Sequence, residues 1–159
     1  KFLLLMRAVI QRVHSASVKV ETSLISSIRK GLLILVGIEI EDSLEEATLM
    51  ASKISKLRIF EDNEGKMNLN CLEAGGSALC VSQFTLLGNI RRGNRPSFKL
   101  SAQSKDAYPI WKHFCNSIRD NGLRCAEGEF GSNMLVRSVN YGPMTLVIDS
   151  NDFKSSRRS

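Results

Sequence analysis

The chain has 159 residues, which fits one domain around one core, since chains usually divide only beyond about 250 residues. Hydrophobic residues make up 43% and charged residues 24%, with a mean hydropathy of −0.08, so neither a disordered chain nor a helical membrane protein is the first reading. Twenty-two Lys and Arg against sixteen Asp and Glu leave a net charge of +6, a hint of polyanionic partners and no more than a hint.

From Met6 to Val20 apolar and polar side chains alternate, with Ala8, Ile10, Val13, Val18 and Val20 as the apolar set, and this predicts a strand. A second strand is expected over Leu24 to Ile28. Gly31 opens Leu32-Leu-Ile-Leu-Val-Gly-Ile38, a continuous apolar run of the kind buried on both faces in mid-sheet. Ser43 and Glu46 have capping-box spacing, and Ala47, Met50, Ile54 and Leu57 recur behind them at helical spacing, so an amphipathic helix is expected to about Leu57.

Glu61 to Gly65 is a charged turn, Met67 to Asn70 a short extended piece, and Gly75-Gly76 a break before an apolar strand from Ala78 to Leu87. Gly88 to Ser101 carries Gly, Asn, Pro and four basic residues without a period, a loop long enough to suspect function. A second helix is marked by Ala107, Ile110, Trp111, Phe114 and Ile118, with Pro109 tolerable only in its first turn and Asn121-Gly122 as its stop. Leu123 to Ala126, Met134 to Val139 and Met144 to Ile148 read as three short strands. The end from Lys154 to Ser159 is a polar tail, in which Lys154, Arg157 and Arg158 carry +3 of the +6. Strands outnumber the two helices, which argues for a single α+β domain.

Cys71, Cys80, Cys115 and Cys125 form no CxxC pair, and with only His14 and His113 beside them there is no zinc-ligand spacing, so no structural metal is expected. Cys80 and Cys115 sit in apolar patterns, which favours reduced thiols in a cytosolic or similarly reducing compartment. The longest apolar run, Gly31 to Ile38, is far short of the roughly 20 residues of a membrane span. Lys1 to Leu5 lack the cleavage site of a signal peptide and read as an extension before Met6.

Walker, GxGxxG, GxSxG and HExxH motifs are all missing, so NTPase, dinucleotide, α/β-hydrolase and zincin readings lack support. His14 in a strand pattern and His113 on a helix suit surface or core roles better than base chemistry. The acidic residues gather in Glu39 to Glu46 and Glu61 to Glu64, as solvated turn charges do.

Three features remain. In Ser82-Gln-Phe-Thr-Leu86, strand alternation would put Gln83 and Thr85 on one face and Ser82, Phe84 and Leu86 on the other. An unpaired buried amide or hydroxyl costs about 1 to 3 kcal/mol, so this pair either meets solvent in a cleft or bonds something. Asn140-Tyr-Gly-Pro-Met-Thr145 carries a Gly142-Pro143 turn signal, read blandly as a hairpin connection. A cis Gly-Pro bond there would fix neighbouring carbonyls in one direction, and two fixed carbonyls can bind an ammonium group. Finally, Arg91, Arg92, Arg95 and Lys99 bring four positive charges and no acid within nine residues. They form either a solvated loop or a phosphate-holding surface beside a cleft.

Taken together, Met6-Arg-Ala-Val-Ile-Gln-Arg-Val13, Leu57-Arg-Ile-Phe60 with Gly65-Lys-Met-Asn68, Ser82-Gln-Phe-Thr-Leu86, Gly93-Asn-Arg-Pro-Ser-Phe98, Phe130-Gly131 and Asn140-Tyr-Gly-Pro-Met-Thr145 resemble the D-aminoacyl-tRNA deacylase family, also called D-tyrosyl-tRNA deacylase. The similarity is collinear from Met6 to about Ser150. It implies one deacylase domain over 6–150 with a mixed, mostly antiparallel, barrel-like sheet and two main helices, leaving 1–5 as an extension and 151–159 as a basic tail. It implies a cytoplasmic hydrolase that needs no cofactor and no metal and crosses no membrane. Such an enzyme cleaves the ester between a D-amino acid and the 3′ end of tRNA.

The resemblance further implies a homodimer with active sites at its interface. Ser82, Gln83, Phe84 and Thr85 become the catalytic wall, and Gly142 and Pro143 enter from the partner chain. Arg12 matches the arginine that holds the Gly-Pro loop, and Phe130 and Ala102 fall at pocket-lining positions. Arg91, Arg92, Arg95 and Lys99 are the expected tRNA contacts. Thr85 lacks an evident base in its motif, so backbone donors and the tRNA's own ribose hydroxyl are expected to carry the chemistry. An L side chain would collide with the rigid loop, whereas glycine, having none, should escape it, so glycyl-tRNA is an expected substrate. The opposing hypothesis is a non-catalytic, basic, nucleic-acid-binding homodimer that regulates replication or translation.

Overall fold

Alternation at the start of the chain produces strand β1 (Arg7–Val20) in a computed structural model that describes residues 6–154. The expected extension at 1–5 and the tail from 155 lie outside the described residues. β1 feeds two cores. Ala8 and Ile10 join one, Val13, Ala16 and Val18 the other, and irregular pairing between Gln11 and Ser15 marks the change of face.

β2 (Ser23–Ile28) pairs antiparallel with the second half of β1 and β3 (Gly31–Gly37) with the first half. As its apolar run predicts, β3 is covered on both faces. β6 (Ser77–Ser82) runs parallel to β3, β7 (Cys125–Glu127) runs parallel to β6, and β8 (Leu135–Asp149) runs antiparallel to β1. The result is a six-stranded mixed sheet. Ser26 Oγ donates to the Glu127 carbonyl at 2.7 Å, joining β2 to β7 so that the sheet nearly closes around Leu33, Leu79 and Val81. Gly31 is required where β3 meets β6, because a Cβ there would fall 1.7 Å from the Ser77 carbonyl oxygen.

Helices α1 (Leu44–Lys56) and α2 (Ser104–Asp120) cover the outer face of the sheet, burying Met50, Ile54, Trp111 and Phe114. The capping box forms as expected, with the Ser43 N–H donating to Glu46 Oε2 at 2.8 Å. β4 (Phe60–Glu61) and β5 (Met67–Leu69) make a small separate hairpin, and α3 (Asn151–Lys154) is a short helix where the sequence suggested only a tail.

Three expectations are corrected. The strand expected over Ala78 to Leu87 stops at Ser82, because β3, its partner, ends at Gly37 and the last ladder bond is Gln83 N–H to the Val36 carbonyl at 2.8 Å. Phe84–Leu87 then close a 3₁₀ turn. Pro109 lies in the second turn of α2, which starts at Ser104, so it gives up the bond to the Lys105 carbonyl from an exposed face. Gly142-Pro143 does not reverse the chain. Both halves of β8 pair with β1, and with Gln11 opposite Thr145 and Val13 opposite Asn140, residues 141–144 bulge out against Arg12.

Candidate active site

β3, β6 and β7 run parallel, and their carboxyl ends open together into a cavity of about 710 Å³, a size suited to a small ligand. Ser82, Gln83, Phe84 and Thr85 form one wall, with Ala102 and Phe130 opposite or beside them. The structure thus gathers six of the sequence-derived residues at one site. Gln83 and Thr85 do meet, with Gln83 Nε2 2.5 Å from Thr85 Oγ1, but through the 3₁₀ turn and not through strand alternation. That turn has a chemical consequence. A helix start leaves its first N–H groups without internal partners, and here those groups belong to Phe84 and Thr85.

The wall is held from behind. Ser101 Oγ donates to the Phe84 carbonyl at 3.1 Å, and the Phe84 and Phe98 rings meet edge to face at 5.2 Å. Phe130 is wedged against Tyr108 and Trp111, with ring centroids 5.2 and 5.6 Å away. Sequence reasoning assigned no role to Phe98, Ser101, Gln103, Ser104, Asn133 and Met134, which also line the cavity. For Ser101 the signal was the long loop, whose end is fastened to the segment that follows β3 by Ala102 N–H to the Ile38 carbonyl and Ile40 N–H to the Leu100 carbonyl, both at 3.0 Å. Asn133 had no signal, because the turn that delivers it has no period, and Met134, expected to open a strand, lies just before β8 begins at Leu135.

Among the described residues, none that lines the cavity is an acid, a base or a histidine. His14 stacks on Tyr141 at 4.7 Å, and His113 Nε2 lies 2.8 Å from Thr48 Oγ1 between the two helices, so neither supplies a base to the site.

Arg12, Gly142 and Pro143 lie outside this cavity. Arg12 is 4% exposed, and its guanidinium donates to the Ile59 carbonyl at 2.7 Å and the Tyr141 carbonyl at 3.2 Å while sitting 4.3 Å from the Tyr141 ring centroid. Asn140 Nδ2 ties the same bulge by donating to the carbonyls of Arg12 (3.0 Å) and Met144 (3.2 Å). The Gly142-Pro143 bond is cis, and both residues are exposed. Of the basic set, Arg91, Arg92 and Lys99 line a second cavity of about 460 Å³, and Arg95 does not. This loop is closed by paired bonds between Asn89 and Ser97 at 2.8 and 2.9 Å.

The fold and site define a class: a small α+β domain whose nearly closed mixed sheet ends in a pocket lined by apolar, amide and hydroxyl side chains. Residues 9–149 match the family model described as D-Tyr-tRNA(Tyr) deacylase. A curated relative from Chloroflexus aurantiacus, named D-aminoacyl-tRNA deacylase, is 48% identical over 97% of this chain and 96% of its own length. A Porphyromonas gingivalis protein of the same name is 49% identical over 92% and 99%. Among solved structures, one described as c-Myc DNA unwinding element binding protein is 38% identical with a TM-score of 0.83, covering 89% of this chain and 97% of the other. A probable eukaryotic D-amino acid tRNA deacylase, 17% identical with a TM-score of 0.78, shares the fold over 91% and 99%. The chain belongs to the D-Tyr-tRNA(Tyr) deacylase family.

Proposed function

We propose that this protein is a D-aminoacyl-tRNA deacylase in which main-chain donors and the tRNA itself break the bond. The observation that supports the mechanism is a cavity whose described lining residues carry no titratable side chain, with Phe84 and Thr85 opening a 3₁₀ turn whose first N–H groups have no partner within it. An ester carbonyl oxygen aimed at those two donors gains charge as water adds to its carbon. The ester C–O bond then breaks and the tRNA oxygen leaves with a proton. The neighbouring ribose hydroxyl is positioned to relay protons, and an aminoacyl ester is labile enough that orientation does much of the rest.

Chirality enters through a homodimer. Among the described residues β8 pairs only with β1, and it leaves Leu135, Val136, Val139, Tyr141 and Val147 exposed, the last to 72%. A long apolar edge of this kind calls for a covering partner, and a second copy brings its own Gly142-Pro143 bulge to the interface. In this reading, carbonyls of the partner's bulge hold the substrate's α-ammonium against the half-exposed Phe84. A D side chain then leaves toward solvent and an L side chain collides, while glycine meets no obstacle. Arg91, Arg92 and Lys99 hold phosphates near the tRNA 3′ end. Four free thiols suit a reducing, cytoplasmic setting.

The test is deacylation of D-tyrosyl-, L-tyrosyl- and glycyl-tRNA at equal enzyme. Loss of the D-tyrosyl and glycyl esters with survival of the L-tyrosyl ester is expected. Equal rates on both enantiomers would contradict chirality by exclusion, and a glycyl ester that survives enzyme levels clearing D-tyrosyl-tRNA would contradict the steric filter. A non-catalytic nucleic-acid-binding dimer is the second reading, favoured by the basic loop and by the description of the 38% identical neighbour. Binding of all three tRNAs without turnover is its signature.

A further inference from the structure

Three of the four thiols meet beneath α2, away from the pocket described above. Across the parallel ladder Cys125 pairs with Ala78 and Glu127 with Cys80, so Cys80, Cys125 and Glu127 face the same side of the sheet. α2 covers that side and presents Lys112, Cys115 and Arg119 along one stripe of the helix. The sulfurs of Cys80, Cys115 and Cys125 all lie within 4.8 Å of one another, and those of Cys80 and Cys125 are 3.4 Å apart. All three are buried. Three sulfurs bound tetrahedrally to one ion at the usual thiolate–zinc distance stand about 3.8 Å apart, inside that range.

The neighbouring charges favour a divalent ion. Lys112 donates to both oxygens of Glu127 at 2.8 and 2.9 Å and Arg119 to one at 2.5 Å, so two cations share one carboxylate and leave +1. A divalent ion on three thiolates leaves −1 beside it, and a buried charge is tolerated only when such a counter-charge is present. Thiolate sulfur is a soft ligand that selects zinc-like ions over hard ones.

We propose that Cys80, Cys115 and Cys125 form a three-thiolate site for a divalent thiophilic ion such as zinc, which pins α2 to β6 and β7. Binding replaces three S–H bonds with three zinc–sulfur bonds and releases three protons to solvent, so the divalent ion and three thiolates together carry −1. Ligand-spacing rules miss the site because its members are 35 and 10 residues apart and come from three different elements.

Cadmium titration of the full chain tests this, read by the ultraviolet thiolate-to-cadmium charge-transfer band, with zinc as competitor. The ion is supplied both to folded protein and during refolding, since the thiols are buried. One equivalent per chain is expected, displaced by zinc, abolished in Cys115→Ser and Cys125→Ser and kept in Cys71→Ser. Zinc should also raise the melting temperature of the native chain. If the native chain gives no one-equivalent band by either route, or if the band follows Cys71, the three thiols are only small core side chains and the proposal is overturned. The native-chain measurement decides this even where a cysteine variant fails to fold.

Discussion

Replacing Arg12 by Leu removes the buried guanidinium that links the Gly142-Pro143 bulge to the Ile59 carbonyl in the body of the protein. The structure sets the size of the effect. Arg12 makes charge-assisted bonds to two carbonyls, at 2.7 Å to buried Ile59 and 3.2 Å to exposed Tyr141. Water can replace the donor at Tyr141 but reaches Ile59 poorly. An unsatisfied buried acceptor costs about 1 to 3 kcal/mol, so a loss of about 2 to 3 kcal/mol is expected. For a chain of this length that lowers Tm by roughly 4 to 12 °C, measured by circular dichroism at fixed protein concentration. Asn140 still ties the bulge at its other end, so the protein stays folded but the bulge loosens. The ratio of D-tyrosyl to L-tyrosyl deacylation should fall by about 10-fold, equal to about 1.4 kcal/mol of barrier. A variant with an unchanged Tm and an unchanged ratio would refute the claim that Arg12 positions the bulge.

Further expectations follow from the site and its surroundings. Thr85→Ala should keep turnover within about 10-fold of native, whereas loss of a covalent nucleophile costs on the order of 10⁴-fold or more; single-turnover kinetics decides between them. Arg91→Ala with Arg92→Ala and Lys99→Ala should raise KM for tRNA and flatten its dependence on salt with little change in kcat, because phosphate contacts act through counterion release; an unchanged salt slope would remove this loop from tRNA binding. Burial alone would raise the Glu127 carboxyl, yet donation by Lys112 and Arg119 wins and holds it below its ordinary value near 4.5. A depressed carboxylate contributes stability above its unfolded pKa and loses it as pH falls through the folded one. The Tm deficit of Glu127→Gln should therefore be full near neutral pH and shrink in acid; a deficit independent of pH would mean that the ion pairs contribute nothing.

Much of this was legible in the residues, and the misses share a cause. The mid-sheet run after Gly31 and the Ser43 capping box are local signals, and the structure keeps both. The end of β6 was not legible, because it depends on where its neighbour β3 stops. Periodicity alone therefore carried the strand through Thr85 and assigned Gln83 and Thr85 to a common face for the wrong reason. The Gly142-Pro143 bulge was taken for a chain reversal because turn chemistry reads the same whether or not both flanks pair with one strand. Pro109 misled in the opposite direction: the buried face of α2 outweighs one missing bond on its exposed side. Ser101 and Asn133 reach the cavity on irregular backbone, where no pattern precedes the fold, and Met134 lies one residue before the strand it was expected to open.

Whether the bulge of one protomer enters the pocket of another is best measured in mixed dimers. One chain, ¹⁵N-labelled, carries a photoreactive benzoylphenylalanine in place of exposed Phe84, and its partner is native and unlabelled. Irradiation followed by mass spectrometry should yield adducts on the unlabelled peptide containing Gly142 and Pro143. Adducts confined to the labelled chain, in a species that sediments as a monomer, would contradict the exclusion of L-amino acids by a neighbouring subunit.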